Sequence, residues 1–334
     1  MSERRLDMRV HEPSHVGRAR ALATEAAQRA GLGESTVERV ALGASELASN
    51  LVKHATDGML LVRHSPGRLD LVTVDRGPGM RDPRRCLVDG FSTAGSMGTG
   101  LGAARRAADT FDLYSLRGKG TAVLARWLEA PAEPGPVGLT LPAPGESACG
   151  DGWAVRGGAD EDVLTAVLVD GSGHGEAAEA AAASALRVVE EHPEALPLDL
   201  LELMGVRIAP TRGAAVAVVH IDRATRVLRF AGTGNIVVRV HEPGVERAVQ
   251  LVSSPGIVGH RAQRHRPVET LRQWTADSMV IMNTDGINQR WSLADWPGVR
   301  AHDPLVLSAL ILWQANRLRD DAGVLVLGGT GGAP

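Results

Sequence analysis

Two sets of residues in this chain have the types and spacing to do chemistry. The first centres on Asp170-Gly171-Ser172-Gly173-His174-Gly175, which follows an apolar run at 164–169 and precedes an Ala-rich segment at 176–190. The run reads as a buried strand and the segment as a helix. A carboxylate at a strand end, followed by closely spaced glycines, brings backbone close to something small and charged. Three more acidic positions share the pattern: Asp151 in Cys149-Gly150-Asp151-Gly152, Asp285 before Gly286 at the end of the run 279–284, and Asp320-Asp321 before the run 324–327. One Asp-Gly after a strand is usually a turn. Carboxylates gathered at four strand ends suit hard divalent cations with oxygen ligands, Mg²⁺ or Mn²⁺.

The second set lies on a predicted helix that opens with a capping box, Ser35 and Glu38, and runs to about Ala55. Val37, Val40, Ala44, Leu47 and Leu51 form its apolar face, while Glu46, Asn50 and His54 share another stripe. Taken alone, that polar stripe reads as a solvated face. The downstream residues reverse that preference. A predicted hairpin, 59–63 and 69–74 around Ser65-Pro66-Gly67, leads into Asp75-Arg76-Gly77-Pro78-Gly79-Met80. A long loop at 81–102 then ends in Gly98-Thr99-Gly100-Leu101-Gly102, ahead of a helix at 103–108. A Gly-rich loop entering a helix presents N–H groups and a positive helix end, which can cradle phosphates.

The elements that must hold these residues fall into two groups. A strand at 5–10 and a helix at 14–30, capped by Ser14 and stopped by Gly31, come first. Strands at 112–116 and 121–128 close the first group, and five prolines mark a semi-rigid joint at 131–146, within which 137–141 already reads as a strand. The second group alternates strands (214–221, 227–230, 236–240, 268–274) with two helical segments, the second opening at Asp303-Pro304 and running to about 318. That pattern predicts a sheet sandwich flanked by helices. No internal repeat is found.

At 334 residues two domains are expected, and a net charge of −3 with 3% aromatics argues against nucleic acid as a partner. Two cysteines, Cys86 and Cys149, make no disulfide framework, and neither a signal core nor a run long enough to span a bilayer is present, so a cytoplasmic protein is expected.

Asp151, Asp170-Gly171, Asp285-Gly286 and Asp320-Asp321 resemble the metal motifs of the metal-dependent protein Ser/Thr phosphatases of the phosphatase 2C type, especially the SpoIIE/RsbX-like branch. The likeness runs over 137–327; where the family has a hydroxyl residue after the last acids, this chain has Ala322-Gly323. Glu46-x-x-x-Asn50, Asp75-x-Gly77-x-Gly79 and Gly98-x-Gly100-x-Gly102 resemble the three boxes of the GHKL ATPase superfamily. The stretch from Asp89 to Gly95 narrows this to RsbT-like switch serine kinases.

Together these resemblances imply an α/β (α+β) chain. A GHKL α/β sandwich built on a mixed sheet fills 1–130, a joint spans 131–146, and a phosphatase β-sandwich flanked by helices fills 147–330. They imply ATP and Mg²⁺ in the first domain: Asp75 accepts from the adenine amino group, Asn50 holds Mg²⁺, Glu46 is the catalytic base, and Gly77, Gly79, Gly98, Gly100 and Gly102 shape the nucleotide site. They imply two Mn²⁺ or Mg²⁺ ions in the second, on Asp151, Asp170 with the Gly171 carbonyl, Asp285 and Asp320, with His174 either a general acid or structural. Implied partners are STAS-domain anti-sigma antagonists or stressosome-type proteins, with a downstream phosphatase or sigma-factor regulator beyond them. The alternatives are a phosphatase whose first domain only senses nucleotide, or one whose first domain binds a sigma factor without catalysis.

Overall fold

The computed structural model describes residues 4–87, 100–131, 135–157, 161–260 and 266–328. The chain forms two compact units, one of Met1–Glu133 with Leu305–Gln314, the other of Pro134–Pro304 with Ala315–Pro334.

The first unit contains β1 (Arg4–Val10), α1 (Ser14–Arg29), α2 (Glu34–His54), β2 (Gly58–Ser65), β3 (Arg68–Val74), α3 (Pro83–Cys86), α4 (Gly100–Ala107), β4 (Thr110–Leu116) and β5 (Gly120–Leu128). Its sheet runs β1-β2-β3-β5-β4. Every described pairing is antiparallel, where a mixed sheet was expected; each strand here is joined to its neighbours without a parallel crossover. Alternation along the strands sends Leu60, Val62, Leu69, Leu71, Val123, Ala125 and Trp127 to the core they share with Ala19, Ala23 and Ala26 of α1 and Val40, Ala44 and Leu47 of α2. Small residues let the helices approach: a Cβ on Gly43 would stand 2.8 Å from the Trp127 ring.

Both predicted helix starts shift. Pro13 already has helical angles (φ −57°, ψ −34°), so Ser14 lies inside α1 and its hydroxyl donates to Glu12 instead of capping. Gly33 takes the extended cap position of α2, its carbonyl accepting from Thr36 and Val37, so the Ser35–Glu38 box does not form.

The second unit contains β6 (Val137–Leu141), β7 (Asp151–Arg156), β8 (Val163–Gly171), α5 (Glu176–Glu191), α6 (Pro197–Arg207), β9 (Ala214–Asp222), β10 (Val227–Thr233), β11 (Val237–His241), β12 (Val249–Leu251), β13 (Thr270–Gln273), β14 (Met279–Asn283) and β15 (Ala322–Gly328). They form two sheets, β13-β10-β9-β8-β7 and β12-β11-β14-β15-β6. Leu164, Ala166 and Leu168 of β8 face Val280, Met282 and Leu325 of the other sheet, while Val167 and Val169 pack on Ala185 and Val188 of α5 and Met204 of α6. Burial on both faces explains why β8 is apolar throughout rather than alternating. Helix α6 goes beyond the two helical segments read from the sequence; its Pro-Leu-Asp opening resembles a loop.

Helix α7 (Pro304–Gln314) is apolar nearly all round, and Leu305–Gln314 belong to the first unit. It ends four residues before the predicted 318, because Ala315 and Asn316 pair instead with Ile287 and Asn288. At its end Trp313 Nε1 donates to the Asp57 carbonyl at 2.8 Å, Arg9 and Arg76 lie 5.2 and 5.1 Å from the Trp313 ring centroid, and Gln314 donates to the carbonyls of Asp75 and Lys119.

Gly120 opens β5 at φ +85°, and a Cβ there would stand 2.1 Å from the Asp75 carbonyl oxygen. Gly120→Ala is therefore expected to destabilise the protein by roughly 2–4 kcal/mol through strain and overpacking. An unchanged thermal melt would show that this turn yields freely.

Candidate nucleotide and metal sites

In the first unit the sheet and helix layers bring Glu46, Asn50 and the start of α4 together. A Cβ on Gly100 would stand 3.1 Å from Glu46 Oε2 and 3.2 Å from Asn50 Oδ1, so the start of α4 packs tightly against both side chains. Asn50 Nδ2 is buried without a hydrogen-bond partner. An orphaned buried amide costs free energy unless a ligand satisfies it. That donor beside Glu46 and a helix start fits a phosphate-bearing nucleotide with its cation.

Asp75 directly follows β3 and is 7% exposed. Its Oδ1 accepts from Gly77 N at 2.6 Å, and its own N–H donates to the Thr121 carbonyl. Burial pushes its carboxyl up to about 6, against the opposing pull of the Gly77 and Thr121 backbone on the carboxylate. Gly79, at φ +66°, passes so close to Leu116 that a Cβ would stand 2.2 Å from its carbonyl oxygen. Gly102 is buried in α4. Gly98 and the stretch from Asp89 to Gly95 lie outside the described residues, and His54 is exposed at the end of α2.

In the second unit Asp151 and Asp170 are direct partners across the β7–β8 pairing. Asp170 and Gly171 are therefore the last residues of the strand rather than a turn beyond it. Asp170, Asp285 and Asp320 line one cavity of about 490 Å³, with Ser172, Gly173 and Asn235. Asn235 Nδ2 donates to Asp285 Oδ2 at 2.7 Å, and Thr284 Oγ1 donates to Asp151 Oδ2 at 2.6 Å while accepting from Gly323 N. Of the adjacent acids, Asp320 faces the cavity. The Asp321 carboxylate instead accepts from the backbone of Ala143 and Gly150, both at 2.7 Å, and so ties two loops. A Cβ on Gly171 would stand 2.3 Å from the Ala178 carbonyl oxygen, so this position cannot carry a side chain.

Desolvation, then repulsion from Asp285, Asp320 and Asp321, pushes Asp170 up to about 7. Burial first and Asp170 second raise Asp151 well above the usual carboxylate range, and burial with Asp320 raises Asp285. A cluster of oxygens that repel one another this strongly fits hard divalent cations. His174 pairs with Glu146 at 2.8 Å and does not line the cavity. Asn235 and Thr284 were not singled out from sequence; only the position of Thr284 directly before Asp285 hinted at its part.

The comparisons agree with this division. Residues 10–127 match the family model of the histidine kinase-like ATPase domain. The serine/threonine-protein kinase RsbT of Bacillus subtilis (strain 168) is 36% identical over 115 residues, 33% of this chain and 86% of that protein. The chain belongs to the RsbT family. Behind its RsbT-type domain lies an RsbX-like one: the phosphoserine phosphatase RsbX of the same organism is 25% identical over 158 residues, 47% of this chain and 73% of that protein. A solved chain of the bacterial stressosome, described as a modular system adapted to control secondary messenger signalling, is 26% identical (57% of this chain, 97% of that one, TM-score 0.51). The crystal structure of RsbX in complex with magnesium shares the fold at 20% identity (57% and 92%, TM-score 0.51). Among the described residues no helix is long and apolar enough to cross a membrane.

Millimolar Mn²⁺ is expected to raise the melting temperature of the RsbT-family chain by linkage, and Asp170→Asn to lose most of that gain; an equal shift in both would remove Asp170 from the cation's shell. ATP binding is expected to strengthen as pH rises through about 6, because Asp75 must shed its proton to accept a hydrogen bond. Asp75→Asn should bind weakly with a flat pH profile, and a slope that survives in it would dismiss Asp75 as the acceptor.

Proposed function

We propose that the RsbT-type domain phosphorylates a serine or threonine on STAS-domain proteins of a cytoplasmic partner-switching complex, and that the RsbX-like domain removes that phosphate. The observation that carries this is the presence, on one chain, of the Glu46–Asn50–Gly100 constellation and the cavity walled by Asp170, Asp285 and Asp320.

In the first site Asp75 offers a carboxylate oxygen to the adenine amino group, and Asn50 offers its side-chain oxygen to Mg²⁺. Glu46, one helical turn before Asn50, accepts the proton of the substrate hydroxyl. Bound ATP with Mg²⁺ supplies the phosphoryl group. In the second site Asp170 with the Gly171 carbonyl, Asp151, Asp285 and Asp320 would hold two Mn²⁺ or Mg²⁺ ions. Such ions, when bound, would lower the pKa of a water and offset the charge on the phosphoryl group being transferred to it from the serine or threonine oxygen. Thr284 and Asn235 orient Asp151 and Asp285, and Asp321 fixes the loops that carry Ala143 and Gly150. The two activities share one chain, which raises the effective concentration of a common partner at both sites.

Incubated with STAS partners and ATP, Asp170→Ala should accumulate phosphoprotein, and Glu46→Gln should strip phosphate from a pre-phosphorylated sample. If Glu46→Gln transfers phosphate as well as the natural chain, Glu46 is not the base. If ATP binds and no partner is ever modified, the first domain is a sensor.

A further inference from the structure

The cavity walls carry carboxylates, and a phosphomonoester dianion must enter among them. Two arginines stand next to this cavity whose side chains have no hydrogen-bond or ion-pair partner among the described residues. Arg212 is exposed, and its Nη1 lies 3.1 Å from where a Cβ on Gly173 would be, beside the cavity wall. Its backbone is held there: the neighbouring Gly213 carbonyl accepts from the N–H of Ser172, and Gly213 N donates to Thr211 Oγ1. Arg317 is also exposed, and it sits on the other acidic loop. Its N–H donates to the Gly286 carbonyl at 2.9 Å, and its charge is felt by the Asp285 carboxyl.

Each arginine thus stands beside a loop that carries a cavity aspartate: Arg317 on the Asp285 side through its own backbone N–H, and Arg212 on the Asp170 side through the carbonyl of the adjacent Gly213. Guanidinium groups left without a carboxylate beside a cluster of carboxylates are conspicuous, because such pairs form readily when geometry permits. The planar fork matches a phosphate's oxygens, and the long side chain can swing to meet them.

Resting on the phosphatase reading of this cavity, we infer that Arg212 and Arg317 receive the phosphoryl group of a phosphoserine or phosphothreonine side chain. They offset the negative walls and hold the dianion before hydrolysis. They are binding residues: they act on the oxygens that do not leave, and they take no proton.

Three measurements on the full chain test this. The first is KM and kcat for a phosphoserine peptide with Mn²⁺. The second is inhibition by inorganic phosphate, and the third is calorimetric titration with inorganic phosphate, which needs no turnover. Arg212→Ala should raise KM and weaken phosphate binding by about tenfold, as expected for losing a charge-assisted hydrogen bond, with kcat within a few-fold of the natural chain. Arg317→Ala should act in the same direction, and Arg212→Lys should recover part of the loss by restoring charge without the fork. Unchanged phosphate affinity in both alanine variants overturns the inference, whether or not the chain hydrolyses anything. A raised KM for the peptide without any change for inorganic phosphate also overturns it, placing the arginines on peptide docking instead. A natural chain that binds phosphate in an Arg212-dependent way yet hydrolyses no phosphopeptide upholds the inference and refutes the phosphatase reading.

Discussion

Asp151 and Asp170 face each other across adjacent strands, and both are withdrawn from water. Directly opposed like charges destabilise a sheet, and burial worsens the repulsion. The second unit is arranged around that cost. Thr284 donates to Asp151, the backbone of Ala143 and Gly150 donates to Asp321, and Asn235 donates to Asp285. These donors hold the carboxylates in place without neutralising them, so acidity remains concentrated around the cavity that Asp170, Asp285 and Asp320 line. A fold that spends stability in this way has kept charge for a ligand of opposite sign.

The two sites reach their geometry by different means. In the first unit a helical stripe supplies Glu46 and Asn50, and Gly100 brings the start of a second helix within contact of them. In the second unit strand ends supply the acids, so pairing register sets the spacing of Asp151 and Asp170. A one-residue slip between β7 and β8 would turn one of these carboxylates to the opposite face. A side chain at Gly79 would collide with the Leu116 carbonyl, and the strand-built site tolerates no change of register.

How much of this was legible in the sequence depends on the range of each interaction. Asp-Gly pairs at strand ends and Glu46-x-x-x-Asn50 are local patterns, and the strand and helix order around them was readable from periodicity. The strand directions of the first sheet were not, because they are settled by long-range pairing. Helix starts were misplaced where Pro13 and Gly33 took over as caps from the nearby serines. Nothing local distinguishes Asp320 from Asp321; the amides that capture Asp321 lie 178 and 171 residues away. Asn235 and Thr284 were silent for the same reason, since their partners are 50 and 133 residues distant.

Helix α7 gives the first unit an unusual order of assembly. A chain emerging from the ribosome releases β1 through β5 early, yet the segment Leu305–Gln314 that completes this unit is made only after β6 through β14 of the other unit. Until then the carbonyls of Asp57, Asp75 and Lys119 lack the donors that Trp313 and Gln314 bring. The strand end that carries Asp75 is thus finished only after the acidic loops at Asp151, Asp170 and Asp285 have all been synthesised. Synthesis itself sets a sequence of events, in which the nucleotide-site unit receives its last segment after β6 through β14 of the other unit and before that unit's β15.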